Sequence, residues 1–263
     1  MGMYTLFDMH CHLSQMANAA EIARDADGLG LAVFDCGVAP VDFATAKAAF
    51  TGAPNVRTGA GLHPWWISDG RCNSSDARRL ADMAMSSPYV GEVGLDFSAK
   101  HVASREMQLE ALELLFHALA ERPLTGRVIS LHAVQSATTV LDLLEETGLV
   151  GRSRDKASPA VIFHWFSGSG DELNRARKLG CYFSVNEMML DTKRGRAYAR
   201  QIPENRLLLE TDAPPRLGEP YTAQALVDQL ERTLTHLAVS RDVQKKTLAA
   251  TIAATSARLL DMQ

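Results

Sequence analysis

The chain has no apolar run approaching the roughly 20 residues that a membrane span needs; the stretch from Leu29 to Val41 is broken by Asp35. Cysteine is scarce and scattered. Cys11, Cys36, Cys72 and Cys181 show no paired spacing, which excludes a disulfide framework or a zinc ribbon and points to reduced thiols in a cytoplasmic protein. No early segment joins a basic start to an apolar run and a small-residue cleavage site, so no secretory signal is expected. There is no excess of positive charge either. A net charge of −4 argues against coating long nucleic acids, so any phosphate contact has to be local, at a focused patch or through metal ions. Linkers, low-complexity tracts and internal repeats beyond a strand–helix unit are also missing, and one domain over residues 1–263 is expected. Nothing bears on the oligomeric state.

What is present is a regular alternation. Hydrophobic residues at 46% and charged residues at 22% are ordinary for a globular protein with a substantial core. Strands are predicted at Tyr4 to Asp8, Leu31 to Cys36, Val56 to Leu62, Tyr89 to Val93, Arg127 to His132, Ala160 to His164, Cys181 to Val185 and Arg206 to Glu210. Helical spacing separates them, as in Leu112, Leu115, Phe116 and Leu119. Ser74 or Ser75 is expected to cap one helix, and Ser169 with Glu172 has capping-box spacing for another. Ser240 is expected to cap the last. Eight short strands, each followed by a helix, predict an α/β fold of the TIM-type (β/α)8 barrel class. The structural alternative is an open doubly wound sheet, which would usually carry a Gly-rich turn after its first strand. Here that turn holds His10-Cys11-His12.

Side chains at i and i+2 of a strand share a side, so His10 and His12 converge and Cys11 points away. A bare His-x-His is a weak signal, but a barrel gives it company, because active sites of this fold lie at the C-terminal ends of the strands. His63 follows the third strand, Glu92 lies late in the fourth, His132 and His164 end the fifth and sixth, and Asp212 lies just past the eighth. Even without His63, four imidazoles and two carboxylates exceed what one tetrahedral ion takes, and they suit two divalent ions sharing a carboxylate. His101, His117 and His236 fall in loops and helices and are read as ordinary solvated or packed histidines.

Six segments carry a resemblance. They are Asp8-Met9-His10-Cys11-His12, Gly61-Leu62-His63-Pro64, Gly91-Glu92-Val93-Gly94-Leu95-Asp96, Leu131-His132, Phe163-His164-Trp165-Phe166-Ser167-Gly168-Ser169 and Leu208-Leu209-Glu210-Thr211-Asp212-Ala213-Pro214. In this order the chain resembles the TatD family of metal-dependent hydrolases and deoxyribonucleases, within the amidohydrolase superfamily. The resemblance implies a barrel that cleaves phosphodiesters, often from the 3′ end of DNA, so nucleic acid ends are the expected substrate. It implies two divalent ions, Mg, Mn or Zn. His10, His12 and Asp212 would hold one, His132 and His164 the other, and Glu92 would bridge them. Glu92 stands where many amidohydrolases use a carbamylated lysine. Two segments depart from the family pattern: His132-Ala133-Val134-Gln135 lacks the polar residues common after the strand-five histidine, and Trp165 replaces a small residue.

The mechanism expected is metal-assisted hydrolysis, with Asp212 orienting the water and accepting its proton. Asp212 and Glu92 are thus the expected catalytic carboxylates. Asp96 and Glu210 are candidates to hydrogen-bond a ligand histidine, with a structural role as the alternative. His63, Trp65 and Trp66 are the expected substrate contacts, the tryptophans in a loop with one stacking on a base and the other packing inward. Lys193, Arg194, Arg196 and Arg200 offer a phosphate patch or, alternatively, a solvated helix face. A small-molecule or aminoacyl-ester hydrolase is the competing activity, and a scaffold with a dead site is a third reading that the full ligand set disfavours.

Overall fold

A computed structural model describes residues 4–151 and 158–262. Its strands are β1 (Leu6–Cys11), β2 (Leu31–Cys36), β3 (Val56–Leu62), β4 (Tyr89–Asp96), β5 (Val128–Val134), β6 (Ala160–His164), β7 (Tyr182–Val185) and β8 (Leu207–Leu209). They follow one another in sequence order in one eight-stranded sheet, and the registered neighbours run parallel. A sequential order excludes the doubly wound alternative, whose strand order reverses at a switch point. The fold class is the (β/α)8 barrel.

The longer helices are α1 (Ala19–Gly28), α2 (Phe43–Ala49), α3 (Pro64–Ser68), α4 (Ser74–Ala84), α5 (Arg105–Glu121), α6 (Ala137–Glu146), α7 (Gly170–Lys178), α8 (Glu187–Asp191), α9 (Lys193–Gln201), α10 (Ala223–Arg241) and α11 (Lys245–Leu259). The helical periodicities face inward. Leu112, Leu115, Phe116 and Leu119 are buried on α5, and Leu226, Leu230, Thr233 and Leu237 on α10. Ser169 and Glu172 form the predicted capping box of α7. Among the described residues no helix is long and apolar enough to cross a membrane.

The chain divides into two compact units. One comprises Met1–Asp35, Thr45–Thr58 and Phe183–Gln263. In it β1 pairs with β2, Leu6 opposite Leu31, and β7 with β8, Phe183 opposite Leu207. The amide of Asp212 donates to the His10 carbonyl and that of His12 to the Ala213 carbonyl, at 3.0 and 2.7 Å, so the segment after β8 lies along the end of β1. The other unit comprises Cys36–Ala44 and Gly59–Tyr182, and there β4 aligns Gly94 with His132 of β5. Two glycines set its strand spacing. A Cβ on Gly94 would stand 2.0 Å from the His132 carbonyl oxygen, and one on Gly61 would stand 1.8 Å from that of Gly37.

Several boundaries differ from expectation. The first strand runs on through His10 to Cys11, because a strand buried along its whole length needs no polar end to stop it. Asn73, not Ser74 or Ser75, caps α4 and closes a capping box with Asp76. Ser240 lies inside α10, and α11 opens after Gln244, since α10 continues to a left-handed Asp242. Trp65 and Trp66 are not in a loop. Pro64 starts a five-residue helix, and the His63 side chain caps it by accepting from the Trp65 amide.

Candidate metal centre

Two groups of donors form, one in each unit. In the first, His10 and His12 stand on the same side of the end of β1, their ring centroids 5.0 Å apart. Asp212 sits past β8 at φ +57°, the left-handed region that Asp tolerates better than most residues. Its Oδ1 lies 3.6 Å from His10 Nε2 and 3.4 Å from His12 Nε2. Two ligands 2.0–2.1 Å from one ion at a tetrahedral angle stand roughly 3.4 Å apart, so these three side chains fit a shared cation. A buried clamp holds the turn. Asp8 accepts from the Thr211 amide at 3.0 Å and the Thr211 hydroxyl at 2.5 Å, and the same hydroxyl receives the Ala213 amide. Burial pushes the Asp8 carboxyl up to about 7, against the hydrogen bonds from Thr211 and the His10 amide.

The second group centres on Glu92, 1% exposed. Its Oε1 lies 2.8 Å from His132 Nδ1, 2.9 Å from His164 Nε2 and 3.1 Å from His63 Nε2. His132 Nδ1 and His164 Nε2 are 3.4 Å apart, again the separation of two ligands on one ion. The shorter contacts to Glu92 are hydrogen-bond distances. His63, Glu92 and His132 also offer one ligand atom each within 4.8 Å of one another. Imidazole nitrogens with carboxylate oxygens are donors suited to Zn²⁺ or Mn²⁺.

Around His132 the electrostatics are one-sided. Burial opposes charge on its ring, but hydrogen bonding to Asp96 and then Glu92 outweighs burial and raises its pKa. Burial likewise pushes Asp96 up, yet hydrogen bonds from His132, Ser98 and Trp65 win and hold its carboxyl well below the usual range.

The expected substrate contacts are placed differently from one another. His63 faces Glu92 through Nε2, while its Nδ1 accepts the Trp65 amide at 3.0 Å. Trp65 is 40% exposed, but its indole N–H donates to Asp96 Oδ2 at 2.7 Å and its ring stacks on His101 at 5.1 Å. Trp66 has the Arg71 guanidinium 3.5 Å above its ring. Arg196 donates to the Leu190 carbonyl and Arg200 to the Ser240 carbonyl, whereas Lys193 and Arg194 are exposed. Glu210 accepts from Ser184 and from Asn186, which accounts for the polar end of β7. Asp96 does reach a candidate ligand, His132 Nε2, at 3.2 Å.

Sequence reasoning missed the surroundings of Asp96. Of the histidines read as solvated or packed, His101 is buried and His117 and His236 are exposed. Gln108, wholly buried on α5, accepts from the Asp96 amide and donates to the Asp96 and His101 carbonyls. Its spacing could not mark it, because a glutamine on a helix reads as surface.

The chain is similar to known proteins. The family model for TatD related DNase matches residues 7–261. A protein of Edwardsiella piscicida named 3′-5′ ssDNA/RNA exonuclease TatD is 33% identical over 160 residues, 59% of this chain and 56% of that relative. One of the same name from Dickeya dadantii is 32% identical over 158 residues, with the same coverage. The chain thus spans little more than half the length of these curated relatives. A crystal structure of a TatD homolog from Escherichia coli superposes with a TM-score of 0.80 at 20% identity, covering 100% of both chains. A TatD family hydrolase from Entamoeba histolytica gives a TM-score of 0.76 at 16% identity, covering 98% of each. At these identities the two structures speak to the fold.

Proposed function

The chain belongs to the TatD-related DNase family, and on that premise we propose that it is a metal-dependent nuclease hydrolysing phosphodiesters at the ends of DNA or RNA. The observation that carries the reading is the pair of imidazole–carboxylate groups with donor atoms at ligand separation. His10, His12 and Asp212 would hold one divalent ion, and His132 and His164 another. Glu92 would take the bridging place that the resemblance implies. When bound, such ions supply Lewis-acid polarisation of a phosphoryl oxygen and hydroxide near neutral pH.

The chain's own residues do the rest. Asp212, with a side chain 20% exposed, is the ligand carboxylate open enough to receive a proton from an attacking water. The Nδ1 of His63 is engaged as an acceptor, so its neutral ring carries the proton on Nε2. That proton faces Glu92 Oε1 at 3.1 Å, and a substrate oxygen would take it only in place of that contact. All four cysteines are buried thiols, which supports a reducing, cytoplasmic setting.

One observation favours the second reading, a small-molecule or aminoacyl-ester hydrolase with the same centre. A ring face of Trp65 and one of Trp66 are already covered, and Arg196 and Arg200 donate within the fold. Contacts that a long strand would need are in part used internally.

The test is hydrolysis of a single-stranded oligonucleotide, a phosphodiester dye and aminoacyl esters by stripped protein, with and without Mn²⁺, Mg²⁺ or Zn²⁺. Metal-restored cleavage of the oligonucleotide is expected. Full activity of protein shown metal-free by elemental analysis overturns the reading, and turnover of the esters alone selects the second. Glu92→Gln should lose one ion and most turnover while remaining folded. Near-normal stoichiometry and kcat would remove Glu92 from the centre.

A further inference from the structure

A neutral imidazole carries one proton, and the atom bearing it decides which nitrogen has a lone pair to offer a cation. His132 stands between two carboxylates, with Nδ1 2.8 Å from Glu92 Oε1 and Nε2 3.2 Å from Asp96 Oδ2. The two carboxylates are not equivalent. Glu92 meets three histidine nitrogens at one oxygen, the arrangement of a ligand group. Asp96 is anchored by groups that are not ligands. The Ser98 amide donates to Oδ1 at 2.9 Å and the Trp65 indole to Oδ2 at 2.7 Å.

Its backbone is held as firmly. Gln108 accepts from the Asp96 amide at 2.8 Å and donates to the Asp96 carbonyl at 3.1 Å, and it also reaches the His101 carbonyl and the Ser104 hydroxyl. His101, fixed by that bond, stacks on Trp65 with the rings 13° from parallel. Ser136 ties the Leu95 carbonyl at 2.8 Å. Asp96 is therefore anchored independently of His132.

We propose that Asp96 is the positioning residue of His132: it takes the Nε2–H, so the neutral ring turns its Nδ1 lone pair to the Glu92 side, and Trp65 locks the carboxylate in place. The inference rests on the metal-dependent reading above and deepens it. It also gives Trp65 a different task from stacking on a base. The indole acts on the centre through Asp96, and His101 behind it keeps the indole in line. Ligating histidines that lose such a partner lose metal affinity by about 10–100-fold, because the ring can rotate or place its proton on the ligating nitrogen.

The experiment uses full-length protein and the variants Asp96→Ala, Asp96→Asn and Trp65→Phe, with His132→Ala to assign signals. Imidazole ¹⁵N shifts of ion-free protein report where the His132 proton sits, independently of any activity. The parent should carry a proton on Nε2, and Asp96→Ala should move the remaining proton to Nδ1, facing Glu92. Competition with a chromophoric chelator should then show about 10–100-fold weaker Zn²⁺ binding to one of the ions in Asp96→Ala. A smaller, several-fold loss is expected in Trp65→Phe, which keeps an aromatic ring and removes the N–H donor. If Asp96→Ala does not fold, the asparagine and Trp65→Phe variants carry the same comparison.

An unchanged His132 proton and parental Zn²⁺ affinity, with only thermal stability lowered, would make Asp96 a loop anchor and overturn the proposal. Parent protein that binds no Zn²⁺ but shows the expected proton shift would instead overturn the metal-dependent reading and leave the Asp96–His132 relation standing.

Discussion

Arg127 immediately precedes β5, the strand that carries His132 in its second half, and it is 2% exposed. Among the described residues its guanidinium meets backbone carbonyls only. The bonds are 3.0 Å to Ala84, 3.2 Å to Met85, 2.9 Å to Arg122, and 3.4 Å to both Ser87 and Leu119. These oxygens lie at the C-terminal ends of α4 and α5, where carbonyls lack partners along the helix and the dipole favours a cation. Burial lowers the Arg127 pKa, but a guanidinium stays protonated. Arg127→Met keeps an unbranched stem and leaves the three shorter bonds unmade. Each buried carbonyl so left costs about 1–3 kcal/mol, roughly 3–9 kcal/mol together. Against this, removing a buried ion that has no counter-charge returns several kcal/mol. The unmet carbonyls should win, for a net loss of about 2–4 kcal/mol. In urea, with an m of roughly 2–3 kcal/mol/M, the midpoint falls by about 1–1.5 M. Circular dichroism and tryptophan fluorescence should agree on the transition before the number is used. Arg127→Lys, whose ammonium reaches fewer of the five oxygens, should fall between. Below its transition the Met variant should turn over substrate like the parent, since Arg127 is remote from the Glu92 group. A Met variant as stable as the parent, or more so, would show that dehydration of the guanidinium outweighs its carbonyl bonds and refute the reasoning.

Burial, with Asp76 and Asp42 adding to it, pushes the Cys72 thiol up to about 11. A folded pKa above the unfolded value gives stability that is lost as pH rises, so Tm should drop between about pH 9 and 11, and Cys72→Ala should flatten that part of the profile. If the slope persists unchanged in the alanine variant, the drop has another origin. Lys193 and Arg194, exposed at the start of α9, are the members of the basic segment left to meet phosphates. Reversing both to Glu should reduce the salt slope of single-strand binding by about 1.4, and an unaltered slope would identify a solvated helix face. Arg196→Glu should lower Tm instead, because it breaks the bond to the Leu190 carbonyl.

Local physics made much of this protein legible from its residues. Apolar runs such as Leu31–Cys36 can be strands buried on both faces whatever surrounds them, and Ser169 with Glu172 closes a cap through contacts three residues apart. The period of two put His10 and His12 on one side before any partner was known, and the barrel rule set Glu92 late in the fourth strand, His132 and His164 at the ends of the fifth and sixth and Asp212 just past the eighth, although β4 and β5 run on to Asp96 and Val134. What stayed hidden depends on residues far apart in the chain. Asp8 reaches Thr211 across 203 positions, and Arg127 gathers carbonyls from two helices. Trp65, read as loop and stacking surface, is a helical residue bound to Asp96, 31 positions on. Spacing reports which side of its own element a residue faces. Which nitrogen of His132 meets which carboxylate depends on how β4 and β5 pack, with Gly94, whose Cβ would meet the His132 carbonyl, opposite His132.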